Sequence, residues 1–129
     1  MLPRVVLALT CCILPAQAAH AGRLTLVCNT IEDHSGERMR RTLTIDPDRR
    51  VVHDNELTFT DRAPSMFAAD LEEFVEVEHP RVTWGNRRKD SKAGAGVFTL
   101  DLATGEYVMS SRIRGRLIHG RCRPDDGSI

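Results

Sequence analysis

The sequence predicts an all-β protein, a small antiparallel meander that closes into a β-barrel of eight or nine strands. Three observations support this prediction. Apolar and polar residues alternate along most of the chain, turn residues recur at short intervals, and helical periodicity is nearly absent. A two-sheet β-sandwich would bury the same residues and is the alternative fold.

The chain begins with a segment typical of a cleaved secretory signal peptide, covering residues 1–21. Arg4 supplies a positive charge, residues 5–13 form an apolar run, and residues 19–21 (Ala-His-Ala) provide a small-x-small cleavage site. The apolar run is shorter than the roughly 20 residues that a transmembrane helix needs. We therefore predict a periplasmic or secreted protein without a transmembrane segment.

Two cysteines in this segment, Cys11 and Cys12, raise the alternative of a lipid anchor. In such proteins the chain is cut before a cysteine that is then acylated, and a small residue normally precedes that cysteine. Here Thr10 precedes Cys11, and the apolar stretch before it is very short. A lipid-anchored location is therefore the less favoured alternative.

Removal of the signal peptide would leave a single β-barrel domain over residues 22–123 and a disordered tail over residues 124–129. The cysteines of this domain are Cys28 and Cys122, near its two ends. An even number of cysteines in an exported domain favours a disulfide. Closing a loop of this length contributes about 4 to 5 kcal/mol in the chain-entropy model. If the first and last strands are neighbours, we expect them to be the two edge strands that meet where the sheet closes into a barrel. The disulfide would then join these strands across this closing junction, the seam of the barrel.

The strands of the first half follow the period-two alternation. Leu24, Leu26 and Cys28 share the more apolar face of the first strand. A polar loop then leads to a second strand over residues 42–45, and the turn at residues 46–48 (Asp-Pro-Asp) ends that strand because proline cannot donate to a ladder. Two further strands are predicted at residues 51–53 and 57–60.

Residues 62–74 interrupt the alternation. Phe67, Leu71 and Phe74 recur at spacings of four and three, which predicts a short helix across an open end of the barrel. A loop is the competing interpretation of this stretch.

The second half returns to strands, predicted at residues 75–78, 82–84, 98–102, 107–109 and 118–122. Residues 86–96 combine basic side chains with glycine, a composition typical of a solvated loop. Residues 103–105 supply a hairpin turn in which Gly105 can adopt a positive φ. Ile118 and Cys122 share a face of the last strand, which supports the pairing of Cys122 with Cys28.

The charges are distributed unevenly along the chain. Residues 24–80 contain 6 basic and 13 acidic side chains, whereas residues 81–123 contain 10 basic and 3 acidic ones. Neighbouring basic and acidic strands would neutralise each other, so we expect cross-strand ion pairs instead of a basic binding patch. Nucleic acid is disfavoured as a partner, since one Trp, one Tyr and four Phe offer few stacking surfaces.

The sequence lacks the motifs of nucleophilic catalysis and of metal binding. No Gly-x-Ser-x-Gly elbow, glycine-rich phosphate loop or Cys-x-x-Cys pair occurs, and no two histidines have a chelating i, i+2 or i, i+4 spacing. We therefore predict that the protein is not an enzyme and has neither a metal site nor a cofactor.

Four motifs carry a resemblance to known proteins: Cys28, the Ile-Asp-Pro turn at residues 45–47, the Asp-Leu-Ala-Thr-Gly hairpin at residues 101–105, and the Gly-Arg-Cys ending at Cys122. With them the chain resembles small exported bacterial β-barrel proteins of uncharacterised function that have one disulfide between terminal strands. The resemblance implies a lipocalin-like or calycin-like barrel and brings no activity. In size and disulfide placement the chain is also similar to the periplasmic lysozyme inhibitors. Their inhibitory loop motif does not occur in it, and the nearest fragments, Ser35-Gly36 and Thr104-Gly105, are too common in turns to identify a site.

Two functions follow as hypotheses for this domain, which we expect to be a monomer. The first is a binding module for a small apolar ligand, with a lid near residues 67–71. Its candidate ligand-binding residues are the large apolar side chains predicted to line the barrel: Phe59, Phe67, Trp84, Phe98 and Met109. The second is a protein-interaction or inhibitor domain that presents the loop at residues 86–96 to a partner in the cell envelope.

Overall fold

Antiparallel strands dominate the computed structural model, which describes residues 22–125. The nine strands of these residues, in chain order, are β1 (Leu24–Glu32), β2 (Arg38–Asp46), β3 (Val51–Asp54), β4 (Leu57–Thr60), β5 (Leu71–Glu78), β6 (Arg81–Arg88), β7 (Gly94–Asp101), β8 (Glu106–Ser111) and β9 (Gly115–Pro124). They form one nearly closed, barrel-shaped sheet in the order β4-β3-β2-β1-β9-β8-β7-β6-β5. The predicted all-β meander barrel is confirmed, and the sheet is continuous, unlike that of a sandwich. The predicted signal peptide and residues 126–129 lie outside the described residues.

The first and last strands are neighbours, as predicted. Cys28 on β1 lies directly opposite Cys122 on β9, and the two cysteines form a disulfide with their Cα atoms 3.9 Å apart. The predicted disulfide is therefore confirmed. Strand β9 continues to Pro124, opposite Leu26, so the ladder extends one residue beyond the predicted end of the domain.

The seam of the barrel lies between β4 and β5, and the expectation that the disulfide staples the seam is wrong. Nine strands that alternate in direction around a ring leave two like-directed strands side by side, so β4 and β5 cannot close with an antiparallel ladder. Two carboxylates replace part of the missing ladder. The Thr60 N–H donates to Glu73 Oε1 and the Val75 N–H donates to Asp61 Oδ1, each at 2.9 Å.

The predicted helix at residues 62–74 is also wrong. Residues 61–70 form turns, bends and a single bridge between Pro64 and Glu72 alongside β5, and β5 begins at Leu71. The reason is that the backbone of this segment bonds to β5: the Arg62 N–H donates to the Glu73 oxygen and the Glu73 N–H donates to the Ala63 oxygen. These groups are then not available for helical i→i−4 bonds, and Pro64 has no N–H to contribute.

The inward faces of the strands fill the barrel with side chains. Of the residues predicted to line the barrel, Phe59, Trp84 and Phe98 are buried and Met109 is partly buried, whereas Phe67 is exposed. The other buried apolar side chains of the core include Leu26, Leu43, Ile45, Val75 and Leu100. Tyr107 joins them and is fully buried. Because these inward side chains pack against one another, the core occupies the axis of the barrel.

Close packing of β1 against β9 requires glycine at one position. A Cβ atom on Gly120 would overlap the backbone oxygen of Asn29, and the Cα of Thr30 would lie only 2.7 Å from it. This close approach flanks the disulfide and holds the two ends of the domain together.

We expect reduction of the disulfide to lower the free energy of unfolding by about 2 to 5 kcal/mol, because it joins residues separated by 94 positions. The double variant Cys28→Ala/Cys122→Ala should show the same loss. Thermal denaturation with and without excess reductant checks this, and the double variant, which has no disulfide to reduce, is the control. An unchanged midpoint after verified reduction would contradict the role of the disulfide.

Candidate functional site

The two ends of the barrel differ, and each is named here by one residue. The Leu24 end is where β1, β3, β6 and β8 begin, and it carries the β2–β3, β5–β6 and β7–β8 turns. The Ile113 end carries the β1–β2, β3–β4, β6–β7 and β8–β9 turns. Any binding surface therefore lies in the interior, on the outer face or at one of these ends.

Most of the predicted ligand-binding residues lie in the packed core. Trp84 and Phe98 are stacked, with ring centroids 5.6 Å apart, and Phe59 lies 5.5 Å from Phe98. Met109 is partly buried against this cluster, whereas Phe67 is 72% exposed and does not cover the barrel. The structure thus brings four of the five residues together as a core and separates the fifth from them.

A buried polar cluster crosses the interior beside these rings. Asp54 on β3 is fully buried and accepts a hydrogen bond from the Tyr107 hydroxyl at 2.7 Å. Arg41 on β2 donates to the same carboxylate at 3.3 Å and to Thr30 at 3.2 Å, and its guanidinium lies over the Tyr107 ring. The cluster ties β1, β2, β3 and β8 together.

Sequence reasoning missed this cluster, although a signal was present. Leu43 and Ile45 face inward, so the period-two alternation also turns Arg41 inward. The same alternation turns Asp54 inward two residues after Val52. An acidic and a basic residue at inward positions of neighbouring strands predict a buried ion pair.

The cluster changes the acidity of Tyr107. Burial of the phenol, and next the negative charge of Asp54 with the hydrogen bond to it, raise the pKa of Tyr107 far above its usual value. The hydroxyl therefore stays protonated as a donor to Asp54. A neutral donor satisfies one of the lone pairs of a carboxylate that has no access to solvent.

A groove opens at the Leu24 end, next to the disulfide. It has a volume of about 410 Å³ and is lined mainly by apolar side chains, namely Leu24, Leu26, Leu100, Leu102 and Cys122. Polar residues complete its wall: His79, Thr104 and Arg123. The Asp101 carboxylate also borders the groove, but it accepts the N–H groups of Ala103 and Thr104 in the β7–β8 turn.

The expected cross-strand ion pairs occur on one side of the barrel. On the outer face of β5 and β6, Glu72 accepts from Arg87 and from Lys92, each at 2.8 Å, and Arg87 also pairs with Glu76. The hydrogen bonds from Lys92 and Arg87 lower the pKa of Glu72. Arg88 pairs with Asp70 and Asp90, so the charged segment predicted as a loop is largely neutralised within the chain. Its two ends belong to β6 and β7.

The other side of the barrel lacks this compensation. Arg40 on β2 and Arg121 on β9 both lie opposite Asn29 on β1. Arg38 lies two residues from Arg40 on β2, and Arg123 lies two residues from Arg121 on β9. None of these four arginines has an ion-pair partner within residues 22–125. The expectation of neutralising pairs therefore fails here, because β9 lies between β1 and β8, which carry one acidic residue each, Glu32 and Glu106.

Within residues 22–125, a histidine contacts a hydroxyl at His53 and Thr58, whose Nδ1 and Oγ1 atoms lie 2.9 Å apart on the exposed face of β3 and β4. His119 and Arg116 both contact the exposed Asp33, and although desolvation opposes the shift, their hydrogen bonds lower the pKa of Asp33. Over residues 22–125, no three His, Cys, Asp or Glu side chains are placed to hold a metal ion. The same residues contain no helix long and apolar enough to cross a membrane.

No family model, curated protein or solved structure matches the chain. The resemblance to small exported barrel proteins therefore stays a prediction, but its motifs have a structural role. Gly105 has φ of +81°, its oxygen accepts the Cys122 N–H at 2.7 Å, and a Cβ atom on it would overlap the Cys122 oxygen. The hairpin turn is thus folded onto the strand that carries the disulfide.

Tyr107 is the only tyrosine, so its ionisation can be followed by tyrosinate absorbance. Folding raises its pKa, and the native state therefore retains a proton that the unfolded state releases. Stability should be unaffected by this group below about pH 10 and should fall as the pH rises above that value. We expect tyrosinate to appear together with unfolding. A titration step near pH 10 in protein that is still folded would contradict the buried hydrogen bond.

Proposed function

We propose that this protein is an exported, disulfide-stabilised binding module without enzymatic activity. In this proposal the groove at the Leu24 end takes a small amphipathic ligand that carries a negative charge. The observation that carries the proposal is an apolar groove with a cation at its rim. Its volume of about 410 Å³ lies within the range of roughly 300 to 1,000 Å³ that is usual for small-molecule sites.

The apolar part of the ligand would contact the leucines. Leu24 and Leu102 are partly buried and pack against the core, so they present apolar surface to the groove on a rigid support. Removing such surface from water contributes about 25 cal/mol per Å². An alkyl chain or a small ring system would supply the complementary surface.

The charged part of the ligand would contact Arg123. Its side chain is exposed and has no ion-pair partner among the described residues, so its donors are available for a carboxylate, sulfonate or phosphate. Asp101, the other charged residue of the lining, is not paired with Arg123 and accepts backbone N–H groups of the turn. The groove therefore favours an anion over a neutral ligand.

Export is part of the same proposal. The Cys28–Cys122 disulfide, and the lack of a membrane-spanning helix over residues 22–125, are compatible with an exported protein. The alternative, a protein-interaction or inhibitor domain of the cell envelope, draws less support from the segment at residues 86–96. Arg87, Arg88 and Lys92 are held in ion pairs there, which leaves Lys89 as the one cation of that segment without an ion-pair partner among the described residues.

The amphipathic anion 1-anilinonaphthalene-8-sulfonate is a suitable probe of the groove. We expect saturable binding to the folded protein, with an increase in fluorescence. Leu102→Gln should weaken binding about tenfold because it places an amide in the apolar wall, and Arg123→Gln should weaken it about threefold to tenfold. Fluorescence titration at low ionic strength measures these affinities.

Arg49→Gln, which removes an exposed arginine of the β2–β3 turn that does not line the groove, is the matched control and should leave the affinity unchanged. Equal affinity of the unmodified protein and both groove variants would contradict the proposed site, as would the lack of saturable binding. Because Leu102 also packs against the core, the thermal midpoint of each variant must be measured alongside.

A further inference from the structure

The large apolar side chains that are exposed on the described residues gather at the Ile113 end. They are Met39 (45% exposed), Leu57 (46%), Met66 (86%), Phe67 (72%) and Ile113 (94%). Leu57 and Met39 lie at the start of β4 and β2, and Met66 and Phe67 lie in the loop before β5. The Leu24 end of the described chain exposes no comparable side chain. These side chains leave apolar surface in contact with water at this end and not at the other.

Ile113 is held outward by an ordered turn. It lies between Arg112 and Arg114 in the β8–β9 turn, and both neighbours have fixed backbone bonds. The Arg114 N–H donates to Ser111 Oγ at 2.8 Å, and the Arg112 N–H donates to the Ala95 oxygen at 3.3 Å. The exposure of Ile113 is thus built into the hairpin.

The Ile113 turn and the loop before β5 border one groove. Leu71, Arg88, Arg112 and Ile113 all line it. The loop that carries Met66 and Phe67 is hydrogen-bonded to the backbone of Leu71. The Ser65 N–H donates to the Leu71 oxygen, and the Leu71 N–H donates to the Ala68 oxygen. Apolar groups of the two tips therefore lie on the same end surface.

Uncompensated positive charge adjoins these tips. Lys89, Arg112 and Arg114 have no ion-pair partner within residues 22–125, whereas Arg88 and Lys92 beside them are paired. The apolar tips belong to separate segments, the β8–β9 turn and the loop before β5, whereas the β1–β2 and β3–β4 turns of the same end carry the exposed acidic residues Glu37 and Glu56. A protein partner favours a contiguous apolar centre with a polar rim. A bilayer accepts separate apolar tips together with basic side chains at the headgroup level.

We propose that the Ile113 end docks onto the surface of an anionic phospholipid bilayer. Ile113, Met66 and Phe67 enter the boundary between headgroups and acyl chains. Lys89, Arg112 and Arg114 contact the lipid phosphates. This function is separate from ligand binding at the Leu24 end, which stays exposed to solvent when the protein is docked.

Co-sedimentation with unilamellar vesicles tests the proposal. We expect binding to vesicles of equal parts phosphatidylglycerol and phosphatidylcholine, weaker binding at high salt, and no binding to pure phosphatidylcholine. Arg112→Gln/Arg114→Gln should weaken binding roughly 30-fold, as expected for two basic residues near an anionic surface. Ile113→Ser should weaken it about tenfold through lost apolar burial.

Arg49→Gln is the matched control for charge. Arg49 is exposed in the β2–β3 turn at the Leu24 end, further from the docked surface than the Debye length of about 8 to 10 Å, so its loss should have little effect. Ile113→Trp adds a reporter, since the natural Trp84 is fully buried. Its emission should shift to the blue on anionic vesicles.

Three results would overturn the proposal. The first is the lack of binding to anionic vesicles. The second is an equal loss of binding with Arg49→Gln and with Arg112→Gln/Arg114→Gln, which would indicate attraction by overall charge alone. The third is a vesicle affinity insensitive to Ile113→Ser while the same variant loses binding to a purified envelope protein, which would assign this end to a protein partner.

Discussion

A fully buried carboxylate, Asp54, is the constraint on which the interior of this barrel depends. A buried charge is costly unless it is paired and hydrogen-bonded, and Asp54 meets both conditions through Arg41 and Tyr107. The Tyr107 ring must therefore extend from β8 towards β3, where it packs beside Trp84 and Phe98. The interior that a lipocalin-like hypothesis would leave for a ligand is occupied by this arrangement.

Much of the fold was predictable because its signals are local. The period-two alternation located the strands, and the shared phase of Cys28 and Cys122 with apolar neighbours identified the disulfide. The seam was not predictable in this way, since it depends on the number of strands and on which two remain unpaired. Residues 62–74 have helical spacing, yet their backbone bonds to β5 across the seam, and tertiary pairing overrides local periodicity there.

The candidate sites, like the fold, were predictable only where their signals are local in the sequence. The inward positions of Arg41 and Asp54 follow from alternation, and the neighbouring acidic and basic residues of β5 and β6 pair as their sequence predicts. The groove at the Leu24 end and the apolar tips at the Ile113 end could not be predicted, because each combines residues from distant strands. Phe67 illustrates this: its sequence spacing suggests a lid, but the irregular segment between β4 and β5 carries it to the exposed Ile113 end.

A double-mutant cycle on the Asp54–Tyr107 hydrogen bond tests the central claim most directly. Unfolding in urea would be measured for the unmodified protein, Asp54→Asn, Tyr107→Phe and the double variant. If the two groups interact across a filled interior, the free energies of unfolding should be non-additive, with a coupling of about 1 to 3 kcal/mol. Strictly additive effects would contradict the account, because Asp54 and Tyr107 would then stabilise the barrel independently and the interior would not depend on their contact.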